Sequence, residues 1–272
     1  MTSARVRGLL VLVLAAAFVL PGAGCHPFRK RGTFVPGAAG PGRENYERAL
    51  EEIGRRHLTK AKSLLEAVQF TAENRAELEP EVRLALADVL FYTGDDYSLI
   101  EARSKYLEFV TLYGDHPRAA YAQFQTGMCS FRQVGRPTRD QGQTRIAIED
   151  LLEIERRWPS SPYTRAARGM VAAAERNLAE HEYEVGRFYA RRKAYLAAAD
   201  RFRGILDRYP SYPEKEKIYF ELGRVLILGK NRAEGSIYLD KLLADYPGGR
   251  YASEARRYLE APLDPDPKQD RG

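Results

Sequence analysis

From Arg43 onward the apolar residues fall at three- and four-residue intervals, the period of a helix with one buried face. Tyr46, Leu50 and Ile53 make the first stripe; Leu58, Ala61, Leu64, Leu65 and Val68 make the second. Pro80 reads as the opening turn of a third helix, where its missing N–H is no loss. That helix carries Val82, Leu86, Val89, Leu90 and Phe91 to a C-terminal cap at Gly94. Ala102, Tyr106 and Phe109 continue toward Tyr113-Gly114. Ala120, Phe124, Met128 and Phe131 form the next helix, with Cys129 packed in it as a small hydrophobe. The period breaks over 132–142, a polar stretch with two glycines and a proline that reads as an inserted loop. It resumes through Ile146, Leu151, Leu152 and Ile154 to Trp158-Pro159, after which Ser160 or Ser161 caps a helix with Pro162 in its first turn.

The stretch 178–210 is the best-formed unit. Its first helix sets Tyr183, Val185, Phe188 and Tyr189 on one face, and its second sets Leu196, Ala199, Phe202, Ile205 and Leu206 at helical spacing. Ala197 to Ala199 stand where the two helices close, and Tyr209-Pro210 ends the pair. Beyond it come Tyr219, Leu222, Val225 and Leu226, then Ile237, Leu239, Leu242 and Leu243 up to Tyr246-Pro247, and a last short helix with Ala252, Ala255 and Tyr258.

These helix ends repeat. Tyr113-Gly114, Trp158-Pro159, Tyr209-Pro210 and Tyr246-Pro247 align. Eleven residues before each aromatic stands a small residue, Ala102, Ala147, Ala198 or Gly235, and four after that a large one, Tyr106, Leu151, Phe202 or Leu239. A small residue, then a large apolar one, then an aromatic stop is the second helix of a tetratricopeptide repeat. The intervals of 45, 51 and 37 residues are irregular, and the 132–142 insertion accounts for part of that. With a degenerate first pair near Ala61 the pattern predicts an all-α tetratricopeptide-repeat solenoid of about five helix pairs over 43–260. Such an array buries each pair against its neighbours and leaves an extended binding surface.

The flanks differ from the array. Arg5 and Arg7 precede an apolar run, Leu9 to Leu20, too short for a comfortable permanent span, so residues 1–24 read as a targeting segment. Gly22-Ala23-Gly24-Cys25 follows, small residues before a cysteine, as lipoprotein processing requires. Gly22 stands where that pattern prefers leucine, and an ordinary secreted protein cleaved nearby is the alternative. Lipidation at Cys25 would anchor the chain, and His26 rather than aspartate after it implies outer-membrane delivery. Residues 25–42 are Gly- and Pro-rich and read as a flexible tether whose Arg29, Lys30 and Arg31 could touch lipid headgroups. The Pro- and Asp-rich 261–272 reads as a disordered tail.

Charge and chemistry narrow the function. The formal net charge is +6, and +4 without Arg5 and Arg7, too mild to suggest nucleic acid. Two cysteines and four scattered histidines supply neither a disulfide framework nor metal-ligand spacing. No phosphate loop, nucleophile elbow or zinc helix is present, so neither an enzyme nor a cofactor is expected. Seventeen tyrosines against one tryptophan suit helix faces whose hydroxyls stay wet.

LAEHEYEV at 178–185, FYARR at 188–192, DRFRG at 200–204, LDRYP at 206–210 and RDQGQTRIAI at 139–148 resemble the BamD family, lipoproteins of the outer-membrane β-barrel assembly machinery. The likeness runs over roughly 43–260. It implies a lipid-anchored scaffold on the periplasmic face of the outer membrane. The family's C-terminal repeats hold a BamA-like barrel protein through an arginine that matches Arg201, and Arg203, Arg187 and Arg191 are grouped with it. Its N-terminal repeats receive unfolded outer-membrane proteins, and by position Phe91, Tyr92, Tyr97 and Tyr106 would line that groove. Other assembly lipoproteins would be further partners. A periplasmic repeat scaffold of the Tol-Pal or division-coordinator kind is the competing reading, although no sustained heptad precedes the repeats. A peptidoglycan enzyme with a repeat domain is a third, for which no catalytic constellation exists.

Overall fold

The computed structural model describes residues 41–260, which form eleven helices: α1 (Pro41–Gly54), α2 (Leu58–Glu66), α3 (Arg75–Thr93), α4 (Asp96–Leu112), α5 (Ala119–Phe131), α6 (Gly142–Arg157), α7 (Pro162–Arg191), α8 (Tyr195–Arg208), α9 (Lys215–Leu228), α10 (Arg232–Asp245) and α11 (Ala252–Glu260). The expected targeting segment, Cys25 and the tail lie outside the described residues. Each helix packs on the next in chain order, giving five pairs, α1–α2 to α9–α10, closed by α11. The array is an all-α solenoid of tetratricopeptide type.

Each of the four aligned registers performs the same packing. Ala102, Ala147, Ala198 and Gly235 are buried, as are Tyr106, Leu151, Phe202 and Leu239 one turn later. Tyr113, Trp158, Tyr209 and Tyr246 then end their helices with nearly one backbone geometry, φ −130°, −134°, −125° and −135°. Each donates its N–H to the carbonyl four residues back, at Phe109, Ile154, Ile205 and Leu242. Ala61 and Leu65 repeat the small-then-large step in the first pair, and both are buried.

The sequence pattern shows one half of this contact; the other half is glycine. A Cβ on Gly127, Gly186 or Gly223 would come within 2.6, 2.5 and 2.6 Å of Leu151, Phe202 and Leu239. In three pairs, then, a glycine on the first helix receives the large residue of the second. The second pair solves the same problem with polar groups: Tyr106 donates its hydroxyl to Asp88 of α3 at 2.6 Å, and Tyr121 of α5 donates to the same carboxylate oxygen at 2.7 Å.

Several expectations change. α1 begins at Pro41, two residues before the expected start. α3 begins at Arg75, so Pro80 lies inside the helix rather than in its first turn. Thr71 and Asn74 exchange hydrogen bonds and turn the chain into the helix early, and the proline leaves the Ala76 carbonyl without its intrahelical donor. In α5 the expected stripe of Ala120, Phe124, Met128 and Phe131 is only half-buried, and the buried positions are the others, Gln123, Gln125, Thr126 and Ser130 among them. The 132–142 insertion is organised by buried Gln141, which donates to the Arg136 and Arg139 carbonyls and accepts from Thr144 and Asn177. In α7 the buried line runs Leu178, Ala179, Glu182, Tyr183, Gly186, which leaves Phe188 44% exposed; Leu196 of α8 is 67% exposed and Ile237 of α10 64%.

Candidate partner-binding surfaces

The C-terminal candidates lie on the α7–α8 pair. Arg201 points back across it and donates to Glu182 at 3.1 Å, and Arg208, two turns on, reaches the other oxygen of Glu182 at 3.0 Å. Glu182 is buried, an acid on the apolar line of α7, and its hydrogen bond raises the pKa of the Arg201 guanidinium. Arg208 also donates to the Gly204 carbonyl at 3.2 Å. A Cβ on Gly204 would stand 2.8 Å from the Arg208 guanidinium. The glycine inside this helix therefore makes room for an arginine of its own chain.

Tyr189, Ala197, Asp200, Arg201, Gly204 and Arg208 line an open groove of about 380 Å³. Arg201 stays 43% exposed at its wall. The groove holds two guanidiniums, the Asp200 carboxylate, a tyrosine and backbone, and its two arginines suit a carboxylate or carbonyl edge on a partner.

The four arginines do not form one cluster. Arg203 turns to the other seam and ties α8 to α10, donating to Glu234 at 2.6 Å and to Asp200 at 2.8 Å. Glu234 raises its pKa well above the usual arginine value. Arg187 pairs with Glu184 at 3.3 Å and lies over the Tyr183 ring. Arg191 is exposed at the last position of α7. Arg208 and Glu182, which complete the Arg201 site, escape the sequence reading. The signal for Glu182 is an acid at a buried period position.

The N-terminal aromatics divide more sharply. Tyr106 is fully buried, and burial beside Asp88 pushes its pKa well up. Phe91 is 9% exposed, edge-on to Tyr106, with the Arg132 guanidinium 4.8 Å over its ring. Both are core residues and cannot line a groove: the next helix covers them. Tyr92 is half-buried under the Arg56 guanidinium. Tyr97 alone stands free at 75% exposure, with Ile100 three residues on at 58%.

Polar contacts brace these surfaces. Arg103 of α4 clamps Asp150 of α6 with two bonds of 2.8 and 2.9 Å, and Gln123 of α5 donates to the Asp150 carbonyl. Arg118 ties Glu81 at 2.7 Å and reaches Asp88 at 3.5 Å. Cys129 is buried as expected, its thiol pKa pushed up to about 12 by burial. Among the described residues no group of acids, histidines and cysteines could hold a metal ion, and no helix is long and apolar enough to cross a membrane.

Comparison with known proteins bears on what these surfaces meet. The family described as YfiO, Outer membrane lipoprotein, matches residues 38–235. The outer membrane protein assembly factor BamD of Caulobacter vibrioides is 30% identical over 172 residues, covering 62% of this chain and 54% of its own. Those of Haemophilus influenzae and Rickettsia prowazekii are 30% identical over 138 residues and 22% over 219, covering 46% and 80% of this chain and 52% and 80% of their own. The chain thus spans about half the length of the first two relatives. Among solved structures, the crystal structure of MamA protein aligns over 83% of this chain and 98% of its own, at 15% identity and a TM-score of 0.32, a likeness too distant to describe this fold.

Proposed function

The chain belongs to the YfiO family of outer membrane lipoproteins, and on that premise we propose that it is a scaffold subunit of the machinery that assembles β-barrel proteins in the outer membrane. It is anchored through a lipid on Cys25 at the periplasmic face and catalyses no reaction of its own. The observation that carries the reading is the family match over 38–235, which takes in α1 to α9 and the start of α10; the relatives' printed name, outer membrane protein assembly factor, supports it.

In this reading the C-terminal pairs hold a BamA-like barrel protein at the Arg201 groove; Arg187 and Arg191 lie elsewhere on α7, and Arg203 faces the α8–α10 seam, so they would extend the contact beyond the groove. The N-terminal pairs receive unfolded barrel proteins. Of the four aromatics, Tyr97 is the side chain available for that contact, and Ile100 extends it. Other assembly lipoproteins join the same complex. A residue clamped inside the array, such as Tyr106, serves shape rather than recognition.

Detergent extraction of membranes and pull-down through a tag on this chain tests the function. Recovery of a large outer-membrane barrel protein is the expected result. Recovery of envelope-spanning Tol-Pal components without any barrel protein would overturn it in favour of a different periplasmic scaffold.

A further inference from the structure

The turns that join the two helices of each pair stack along one edge of the array. Arg56, in the first turn, lies 4.4 Å over the ring of Tyr92 near the end of α3. Arg132, at the third turn, donates to the Phe91 carbonyl beside the second at 2.7 Å. The Pro137 carbonyl of the third turn accepts from His181 of α7 at 2.6 Å. A Cβ on Gly229, in the fifth turn, would meet Tyr195 of the fourth at 3.1 Å. The first three turns are therefore in contact, as are the fourth and fifth, while the third turn meets α7 at its middle, about eleven residues before the fourth turn.

From the third turn to the fifth its charge is one-sided. Residues 187–196 and 228–233 include no acid, and 132–141 includes Asp140 alone, whose carboxylate accepts from the Gly142 N–H. Arg136, Arg139, Arg192, Lys193 and Lys230 are exposed, and among the described residues none of the five forms an ion pair. The opposite edge is different: there Lys217 pairs with Glu214 and Arg118 with Glu81. Lys193 and Lys230 also hold φ of 60° and 66° at the tips of their turns, a left-handed conformation that long side chains seldom adopt.

Apolar side chains stand among these cations. Phe188 is 44% exposed, Leu196 67% and Leu228 39%, and the Arg192 guanidinium lies 4.5 Å over the Phe188 ring. A solvated basic face accounts for the cations and leaves these three unexplained. They project from turns and helix ends, and none of the three is among the residues that line the Arg201 groove. A bilayer surface needs no pocket. Cations meet lipid phosphates, and separate apolar tips enter the headgroup boundary.

We propose that this edge docks on a membrane surface bearing anionic lipid headgroups. The proposal deepens the lipid-anchored reading above, which brings a bilayer within reach. The sixteen residues from Cys25 to Gly40 set an upper limit of roughly 55 Å on the distance between the anchor and the first described residue.

The test uses the processed chain, residues 25–272, carrying Cys25→Ala, sedimented with vesicles of phosphatidylcholine alone or mixed with phosphatidylglycerol. At about 0.15 M salt, co-sedimentation with the anionic vesicles only, weakening as salt rises, is expected. Arg192→Glu/Lys193→Glu should lower partitioning at least about tenfold. Leu196→Ser/Leu228→Ser should lower it while leaving the salt dependence in place. Arg139→Glu/Lys230→Glu addresses the neighbouring turns if the first pair of changes disturbs folding, which circular dichroism reports; Arg191, assigned to the protein contact, is spared. Absent binding to anionic vesicles, or equal partitioning of wild type and both charge reversals, would overturn the proposal. So would loss of binding to a barrel protein's periplasmic domain with vesicle binding unchanged, which would assign the edge to an acidic protein. Because Cys25 is already replaced, failure here is distinct from failure of the anchor, which shows as release of the unaltered chain from membranes.

Discussion

Arg201 and Glu182 face each other across the seam of α7 and α8 at 3.1 Å, with Arg208 holding the other oxygen of the same carboxylate. The candidate contact arginine is thus also a structural one, and the usual charge-reversal experiment would mix the two roles. Arg201→Glu would set a second carboxylate against buried Glu182, and we expect it to lower stability by about 1–2 kcal/mol as well as to abolish partner binding. Arg201→Gln leaves Arg208 on Glu182 and separates the roles. It should melt within a few degrees of wild type and still bind the barrel protein's periplasmic domain at least about tenfold more weakly, the usual effect of losing a hot-spot arginine. Unchanged affinity in a titration would remove Arg201 from the contact.

The glycine sockets predict substitutions of opposite sign. Gly186→Ala drives a methyl into the Phe202 ring, with its Cβ 2.5 Å from the nearest ring carbon, and should cost about 1–3 kcal/mol despite alanine's better helix propensity. Gly169, exposed in the same helix, has nothing within 4 Å of its missing Cβ, and Gly169→Ala should stabilise by up to about 1 kcal/mol. Thermal melts of the two variants, measured side by side, check both signs. Ala198→Leu, on the facing helix, should also destabilise by about 1–3 kcal/mol.

Acid sensitivity should begin in the first pair. Hydrogen bonds from Lys60 and His57, helped by nearby Arg55, hold the Glu52 carboxyl down at about 2. A carboxylate with a depressed folded-state pKa stabilises the fold above its ordinary value and loses that contribution as pH falls toward the depressed one. Between about pH 4.5 and 2, then, the α1–α2 pair loosens, and Lys60→Met should reduce the pH dependence of unfolding over that window. Hydrogen exchange in α1 and α2 reports it, and an acid limb identical to wild type would show that Glu52 does not govern it.

The Asp88 node should behave as a unit. Tyr106 and Tyr121 both donate to one of its oxygens from different helices. Either tyrosine-to-phenylalanine change should cost about 1–3 kcal/mol by depriving a buried carboxylate of a donor. The double change should depart from the sum, because each hydroxyl sets the charge the other one sees. Additive values in a double-mutant cycle would show two independent bonds.

Cys25→Ala should release the chain from membranes washed at high salt, where the basic edge no longer holds it. Fractionation with an immunoblot reads this directly, and unchanged sedimentation after the high-salt wash would dismiss the lipid.

The repeat was legible because its packing rule is local. A small residue, a large one a turn later and an aromatic stop at fixed spacing leave a mark that composition cannot blur, and Ala102, Ala147, Ala198 and Gly235 all fall on it. What lay between helices was not legible. Gly186 reads as an interruption until Phe202 is seen standing in its place, and a loop built on Gln141 looks like any polar stretch. The aromatics of the second pair misled for a related reason. Phe91 and Tyr106 share one helical period with true surface residues, and only the position of the following helix shows that they are covered. Arg201 was legible as a residue turned away from Phe202; Glu182 left only an acid on the buried period of α7, which does not say which arginine it pairs with.

The thirty-residue α7 belongs to two pairs at once: its first half packs on α6 and its second on α8. At about 45 Å it is a continuous strut where an ordinary array would have a joint. The third and fourth pairs therefore share one rigid element, and the clamps from Arg103 to Asp150 and from Arg203 to Glu234 carry the connection on to the pairs on either side. A partner seated at the Arg201 groove pushes on the same helix that the third pair is packed against, so the two pairs take the load together.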